Sequence, residues 1–290
     1  MEIIRTVDWM KQVSRASRAK EQVIGLVPTM GALHQGHFSL VGEARKHCSQ
    51  VVASIFVNPT QFGPSEDLAK YPRPFEKDVA ALESLGVDFL FAPSVQQMYP
   101  KGFSTYVSVE QLGDRLEGRS RPGHFRGVAT VVLKLFEAVQ PHLAFFGRKD
   151  AQQLAVIRRM VRDLEVDAQI VACPIIREPD GLALSSRNVY LNEQARAAAT
   201  TLSGSLALLR AEIDNGERDI VRLLADWRAF LAANREVVLD YAEIVDAETF
   251  ESVMNLRGTC YAVLAAKVGG TRLIDNALIE HSADRFIVTL

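Results

Sequence analysis

From the start of the chain to about residue 175, short β-rich runs alternate with helical stretches. That alternation predicts a parallel sheet with helices on its faces, because parallel neighbours must be joined by crossovers and helices are the usual ones. Strands are predicted at residues 23–27, 51–57, 88–91, 142–146 and 169–172, and helices at 37–47, 74–85, 127–138 and 149–163. In the last helix Leu154, Ile157 and Val161 recur at helical spacing, so they share one face and leave Arg158, Arg159 and Arg162 mostly towards water.

Beyond Cys173 and Pro174 the pattern changes. A polar loop over 177–188 leads into an alanine-rich helix with Leu202, Leu206, Leu209 and Ile213 as its apolar stripe. A second helix carries Ile220, Leu223, Leu224, Trp227 and Leu231 on one side. Strands follow at 239–245, 260–268 and 272–277, the last two joined across Gly269 and Gly270 as a tight antiparallel hairpin. The expected organisation is an α/β domain over 1–176 and a smaller α+β domain over 177–290.

Composition narrows the function classes. Lys and Arg total 33 against 35 Asp and Glu, a formal charge of -2, so no strong net field draws the chain to nucleic acid or an anionic membrane. No apolar run approaches the roughly 18 residues of a membrane helix, and charges are spread through the first 25 residues, so a cytoplasmic protein is expected. Cys48, Cys173 and Cys260 are far apart and form no C-x-x-C pair; they are expected to be buried thiols.

The chemistry gathers at the first predicted strand, which ends in Pro28-Thr-Met-Gly-Ala-Leu-His34-Gln-Gly36-His37 and passes at once into a helical pattern. Ligands of open parallel sheets bind at the carboxyl ends of strands. A glycine there lets backbone approach a phosphate, and the following helix points its free N–H groups at the anion. With 6 His and 18 Gly in the chain, H-x-G-H is expected by chance about 0.01 times, so the pattern is read as a phosphate site. Asn58 and Gln61 follow another strand, where their amides can both donate and accept. Read alone, they also suit a plain Asn-Pro turn. Lys149 and Asp150 open a helix after a strand; Asp150 could equally be its cap. Arg119, Arg121, His124 and Arg126 form a glycine-flanked group read as a cationic loop.

The H-x-G-H pattern resembles the signature of the nucleotidylyltransferase and class I aminoacyl-tRNA synthetase superfamily, whose histidines face ATP phosphates. Leu184-Ser-Ser-Arg187-Asn188 stands where that superfamily has its K-M-S-K-S-like loop, although the first lysine is absent and an arginine replaces the second. Six ordered blocks narrow the resemblance: residues 28–37, 56–62, 71–73, 118–127, 146–153 and 180–188 look like the pantoate:beta-alanine ligase family. The resemblance implies a Rossmann-like nucleotide-binding domain that joins pantoate to beta-alanine through a pantoyl adenylate, releasing AMP and pyrophosphate.

It also implies the site. Met30, Gly31, Ala32, Leu33, His34, Gln35, Gly36 and His37 would bind ATP, with His37 as the acid-type residue and His34 beside it on the phosphates. Gly147, Arg148, Lys149 and Asp150 would contact the nucleotide, Lys149 on phosphates and Asp150 on ribose hydroxyls, and Ile176, Leu184, Ser185, Ser186 and Arg187 would complete the site. Gln61 and Gln153 would hold pantoate, with Asn58 nearby, and Asp78 would supply a magnesium contact although its neighbour is Lys77. His34, His37, Lys149 and Arg187 would neutralise the leaving pyrophosphate. A homodimer is implied by the resemblance alone. Two other functions use the same features: a nucleotidylyltransferase that keeps the nucleotide in its product, and a catalytically silent nucleotide-binding regulator.

Overall fold

The computed structural model describes residues 1–63, 68–282 and 285–290. Its backbone forms two compact units, Met1–Arg148 with Gln152–Pro174, and Lys149–Ala151 with Ile175–Leu290.

In the first unit the chain runs β1 (Glu2–Ile4), α1 (Val7–Arg18), β2 (Ile24–Thr29), α2 (Gln35–His47), β3 (Gln50–Ile55), α3 (Phe75–Ser84), β4 (Phe89–Phe91) and the short α4 (Val95–Met98). It continues through α5 (Glu117–Ser120), α6 (His124–Val139), β5 (Leu143–Gly147), α7 (Ala151–Asp163) and β6 (Gln169–Cys173). The six strands lie in the order β1-β4-β3-β2-β5-β6, each parallel to its neighbours. The chain therefore winds outwards from β2 through β3 and β4, then returns to add β5 on the other side. That reversal beside β2 is a topological switch point, where open α/β sheets leave a crevice at the carboxyl ends of their strands. Val27, Val51, Ala53, Leu90 and Phe145 from the sheet pack with Leu40, Val41 and Ala44 of α2 and Leu82 of α3. Each fully buried aliphatic side chain contributes about 1.5–3 kcal/mol relative to exposure.

The five predicted strands are present within one or two residues, but β1 and α1 ahead of them were not anticipated. The glycine-flanked arginines predicted as a loop are instead mostly helical: Arg119 lies in α5, and His124 and Arg126 in α6. The reason is that two of these glycines serve close approach instead of flexibility. A Cβ on Gly118 would lie 1.9 Å from the Gly113 carbonyl oxygen, and one on Gly127 would lie 2.4 Å from that of Thr60.

In the second unit α8 (Glu193–Asp214) and α9 (Ile220–Ala232) accompany an antiparallel sheet of β7 (Val237–Asp246), β8 (Thr259–Val268), β9 (Thr271–Ser282) and β10 (Arg285–Thr289), in the order β10-β9-β8-β7. Leu202, Leu206, Leu209 and Ile213 of α8 and Trp227 of α9 are fully buried in one cluster with Ala262, Leu264 and Ile279 of the sheet. The expected hairpin turn is there: Gly269 and Gly270 have φ of 55° and 80°, the two consecutive positive values of a type I′ turn. The three cysteines are free and buried. Burial pushes the Cys48 and Cys173 thiols up to about 11, which leaves them unsuited to nucleophilic work at neutral pH.

Candidate active site

The turn that leaves β2 is held by side chains from other elements. Gly31 and Ala32 both have positive φ, 81° and 53°, a conformation that a non-glycine residue adopts only when its surroundings impose it. Three successive backbone N–H groups find fixed acceptors. Gly31 N–H donates to Thr29 Oγ1 at 3.1 Å, and Ala32 and Leu33 N–H donate to the two carboxylate oxygens of Asp78 at 2.8 and 2.9 Å. Thr29 Oγ1 in turn donates to the Ser54 carbonyl at 2.7 Å, which ties the turn to β3.

The H-x-G-H sequence is itself a helix cap. His34 is the N-cap of α2, and its Nδ1 accepts the Gly36 N–H at 3.1 Å, while His37 Nδ1 accepts the His34 N–H at 3.3 Å. This is the reciprocal arrangement of a capping box, with imidazoles in place of the usual hydroxyl and carboxylate. An Nδ1 that accepts a backbone N–H places the proton of each neutral ring on Nε2. The ring centroids are 4.1 Å apart. Gly36 permits the fold-over of the His34 ring, since a Cβ there would lie 2.9 Å from His34 Cε1. The spacing of the motif is thus a local requirement: two rings, both with Nδ1 engaged by backbone, at the positive end of a helix.

Beyond β3, Gln61 and Asn58 are buried together, 8% and 1% exposed. Asn58 donates to Gln61 Oε1 at 3.2 Å and to the Gly127 carbonyl at 3.1 Å, and its Oδ1 accepts from Tyr99 OH at 2.8 Å. Its amide is committed to neighbours, so in this structure it orients Gln61. The Gln61 amide nitrogen reaches Met30 Sδ at 3.0 Å, which joins this group to the β2 turn. The Gln61 carbonyl accepts from His124 Nδ1 at 2.8 Å, and Arg121 donates to His124 Nε2 at 3.0 Å, a self-consistent tautomer that the cationic-loop reading did not foresee. Because a Cβ on Gly127 would press on Thr60 O and Gln61 N, Gly127→Ala is expected to destabilise the protein by about 1–3 kcal/mol through overpacking, read as a lowered urea midpoint with unchanged slope.

Gln153 is half-buried on α7. Its neighbour Gln152, 5% exposed, is the structural one: its amide nitrogen donates to the Leu112 and Arg115 carbonyls, both at 2.9 Å, and its oxygen accepts the Glu117 N–H at 3.1 Å. Gly147 closes β5, and Arg148 follows in a half-buried 3-10 turn.

In the second unit, Lys149 is half-buried and Asp150 exposed. The Lys149 carbonyl accepts from Asn276 Nδ2 at 2.8 Å, and a small pocket is lined by Lys149, Ala183, Ser185, Asn188 and Asp275. The segment carrying the expected loop is braced. Arg177 forks onto both oxygens of Asp275 at 2.7 and 3.0 Å and also donates to the Gly181 carbonyl at 3.1 Å. Ile176 accepts the Leu184 N–H at 2.9 Å. Arg196 pairs with Glu178 and Asp180, at 2.8 and 2.6 Å, and its guanidinium holds the Glu178 carboxyl below the usual carboxylate range. Ser186 and Arg187 start a 3-10 turn (Ser186–Tyr190) capped by Ser185, whose Oγ accepts the Arg187 N–H at 3.2 Å.

Asp78 does not fit the magnesium role implied for it. Its side chain is 2% exposed, both oxygens already accept backbone N–H bonds, and Lys77 stands beside it. Among the described residues no group of three or more His, Cys, Asp and Glu side chains could hold a metal ion. The same residues contain no helix long and apolar enough to cross a membrane.

Residues 2–278 match the family model described as Pantoate-beta-alanine ligase. The chain is 50% identical over 280 residues to a pantothenate synthetase of Acetivibrio thermocellus, covering 97% of this chain and 100% of the relative. It is 53% identical over 279 residues to that of Thermotoga petrophila, covering 96% and 100%. Among solved structures, pantothenate synthetase from Thermus thermophilus superposes with a TM-score of 0.90 at 46% identity, over 95% of this chain and 98% of that one. The pantoate-beta-alanine ligase of Francisella tularensis, complexed with beta-gamma ATP and beta-alanine, gives 0.76 at 36% identity, over 95% and 97%.

Proposed function

The chain belongs to the pantoate-beta-alanine ligase family, and we propose that its H-x-G-H cap is where ATP is split to activate pantoate. The protein is a ligase that condenses pantoate with beta-alanine at the expense of ATP. A carboxylate is a poor electrophile, so the acid must first gain a good leaving group. One pantoate carboxylate oxygen attacks the α-phosphorus of ATP in line; the bond to the bridging oxygen breaks and pyrophosphate departs. The free amine of beta-alanine then attacks the acyl carbon, the C–O bond to AMP breaks, and the nitrogen gives up a proton as the amide forms.

The protein's part is to align the reactants and stabilise the charge that develops on the leaving group. The observation that carries this reading is the imidazole capping box at the carboxyl end of β2, which directs the protons of neutral His34 and His37 onto their Nε2 atoms. Those N–H groups, with the amino end of α2, are suited to pyrophosphate oxygens. Lys149 and Arg187 are assigned to the same charge, and Ser185 and Ser186 to phosphate oxygens. Residues 30–36, Gly147, Arg148, Asp150, Ile176 and Leu184 are assigned to the nucleotide. Gln61, oriented by Asn58, and Gln153 hold the hydroxyl and carboxylate of pantoate, with Gln61 also serving beta-alanine. Any magnesium would be brought in on the phosphates of ATP, a mode that requires few protein ligands. A homodimer and a cytoplasmic location are proposed from family membership.

Incubation with ATP, Mg²⁺, pantoate and beta-alanine, each omitted in turn, tests the scheme. AMP release is expected to require both acid and amine. AMP retained in an acid-nucleotide product would favour the nucleotidylyltransferase reading, and ADP as product would overturn the adenylate.

A further inference from the structure

We infer that Asp78 is a positioning residue for the reaction, the clamp that sets the β2 turn so that the two histidines meet ATP correctly. The inference rests on the assignment of that turn to ATP and extends it to a residue that touches no reacting atom. Asp78 lies in the first turn of α3 and is 2% exposed, yet among the described residues no basic side chain accounts for its burial: its oxygens take the N–H groups of Ala32 and Leu33 at 2.8 and 2.9 Å. Successive N–H groups around a left-handed residue converge into a concave anion site. Here Gly31 and Ala32 are left-handed, and the anion in the concavity is the protein's own carboxylate. A Cβ on Gly31 would lie 3.0 Å from Asp78 Oδ2, so the turn closes tightly on it. The residue after Leu33 is His34, the cap of α2. The carboxylate therefore fixes the backbone one residue before the histidine pair.

Asparagine at this position is nearly isosteric but turns an N–H₂ towards one backbone donor, leaving that donor unpaired. Displacement of a reacting group by about 1 Å can cost roughly a hundredfold in rate. Asp78→Asn is therefore expected to lower kcat for pantoate-dependent ATP–pyrophosphate exchange by roughly a hundredfold while the pantoate KM stays within about threefold. Because the clamp acts through the histidines, its loss should add little once they are gone: Asp78→Asn/His37→Ala should be no more than about threefold slower than His37→Ala alone. Multiplying effects, near-normal exchange in Asp78→Asn, or recovery of that variant by raised Mg²⁺ would each overturn the proposal, the last by restoring the metal-ligand role. If the assignment of the turn to ATP were wrong, His37→Ala itself would exchange normally; if only the clamp were wrong, His37→Ala would be slow and Asp78→Asn would not. Should the asparagine variant fail to fold, wild-type protein still decides. With Mn²⁺ and no nucleotide, the Ala32 and Leu33 amide resonances should stay sharp and resist exchange into D₂O, whereas selective broadening or unprotected amides would contradict the clamp.

Discussion

His37→Ala should slow pantoate-dependent ATP–pyrophosphate exchange by about a hundredfold to a thousandfold, the rate equivalent of the roughly 2.7–4 kcal/mol that one preorganised donor supplies to a developing anion. The same change removes one arm of the capping box, in which His37 Nδ1 accepts the His34 N–H. Loss of a cap costs about 0.5–2 kcal/mol of stability. The two effects separate with a second variant. Glutamate at position 37 restores an acceptor suited to a capping box but offers no N–H to a phosphate and brings a like charge towards it. His37→Glu should therefore unfold in urea close to wild type while its exchange rate stays as low as that of alanine or lower. Substantial exchange in the glutamate variant would show that the histidine serves the fold alone.

The second large effect concerns stability. Asp275 has 1% of its side chain exposed and Arg177 16%, and their two-point bond ties down the start of the segment carrying Ser185 and Arg187. Asp275→Ala leaves a buried guanidinium without its carboxylate, and breaking such a pair from one side costs about 3–5 kcal/mol. Replacing both members by apolar residues removes the stranded charge, so Arg177→Met/Asp275→Leu should recover most of that loss. Arg177 also donates to the Gly181 carbonyl, inside the turn that precedes Ser185. The double variant should accordingly regain its urea stability without regaining full activity. Equal recovery of both would make the pair purely structural; a single variant as stable as wild type would contradict its burial as a coupled unit.

How much of this was legible in the sequence depended on the distance over which each signal acts. The strand and helix alternation, the glycine pair of the hairpin and the apolar stripes of α8 and α9 are local periodicities, and the structure bears them out. So is H-x-G-H, whose spacing turns out to be that of a cap. β1 and α1 escaped because β1 is an edge strand of 3 residues and α1 buries only Met10, Ser14 and Ser17, too little apolar surface for a stripe. The supports of the site escaped for a different reason. Asp78 meets Ala32 and Leu33 across more than forty positions, and His124 meets Gln61 across 63. No window along the chain contains both partners. Gln152 and Gln153 are neighbours of the same type on one helix, and only the placement of Leu112, Arg115 and Glu117 reveals which is committed to the fold. The arginines flanked by Gly118 and Gly127 were misplaced because a glycine needed for backbone contact is indistinguishable in sequence from one needed for a flexible loop.

In the proposed reaction pantoate is activated by a bond between its own carboxylate oxygen and the α-phosphorus of ATP. Pantoate labelled with ¹⁸O in both carboxylate oxygens, turned over with ATP and beta-alanine, reports on that bond directly. One labelled oxygen should appear in each AMP released and one should remain in the amide product. AMP free of label, with pyrophosphate or inorganic phosphate carrying it instead, would rule out that bond.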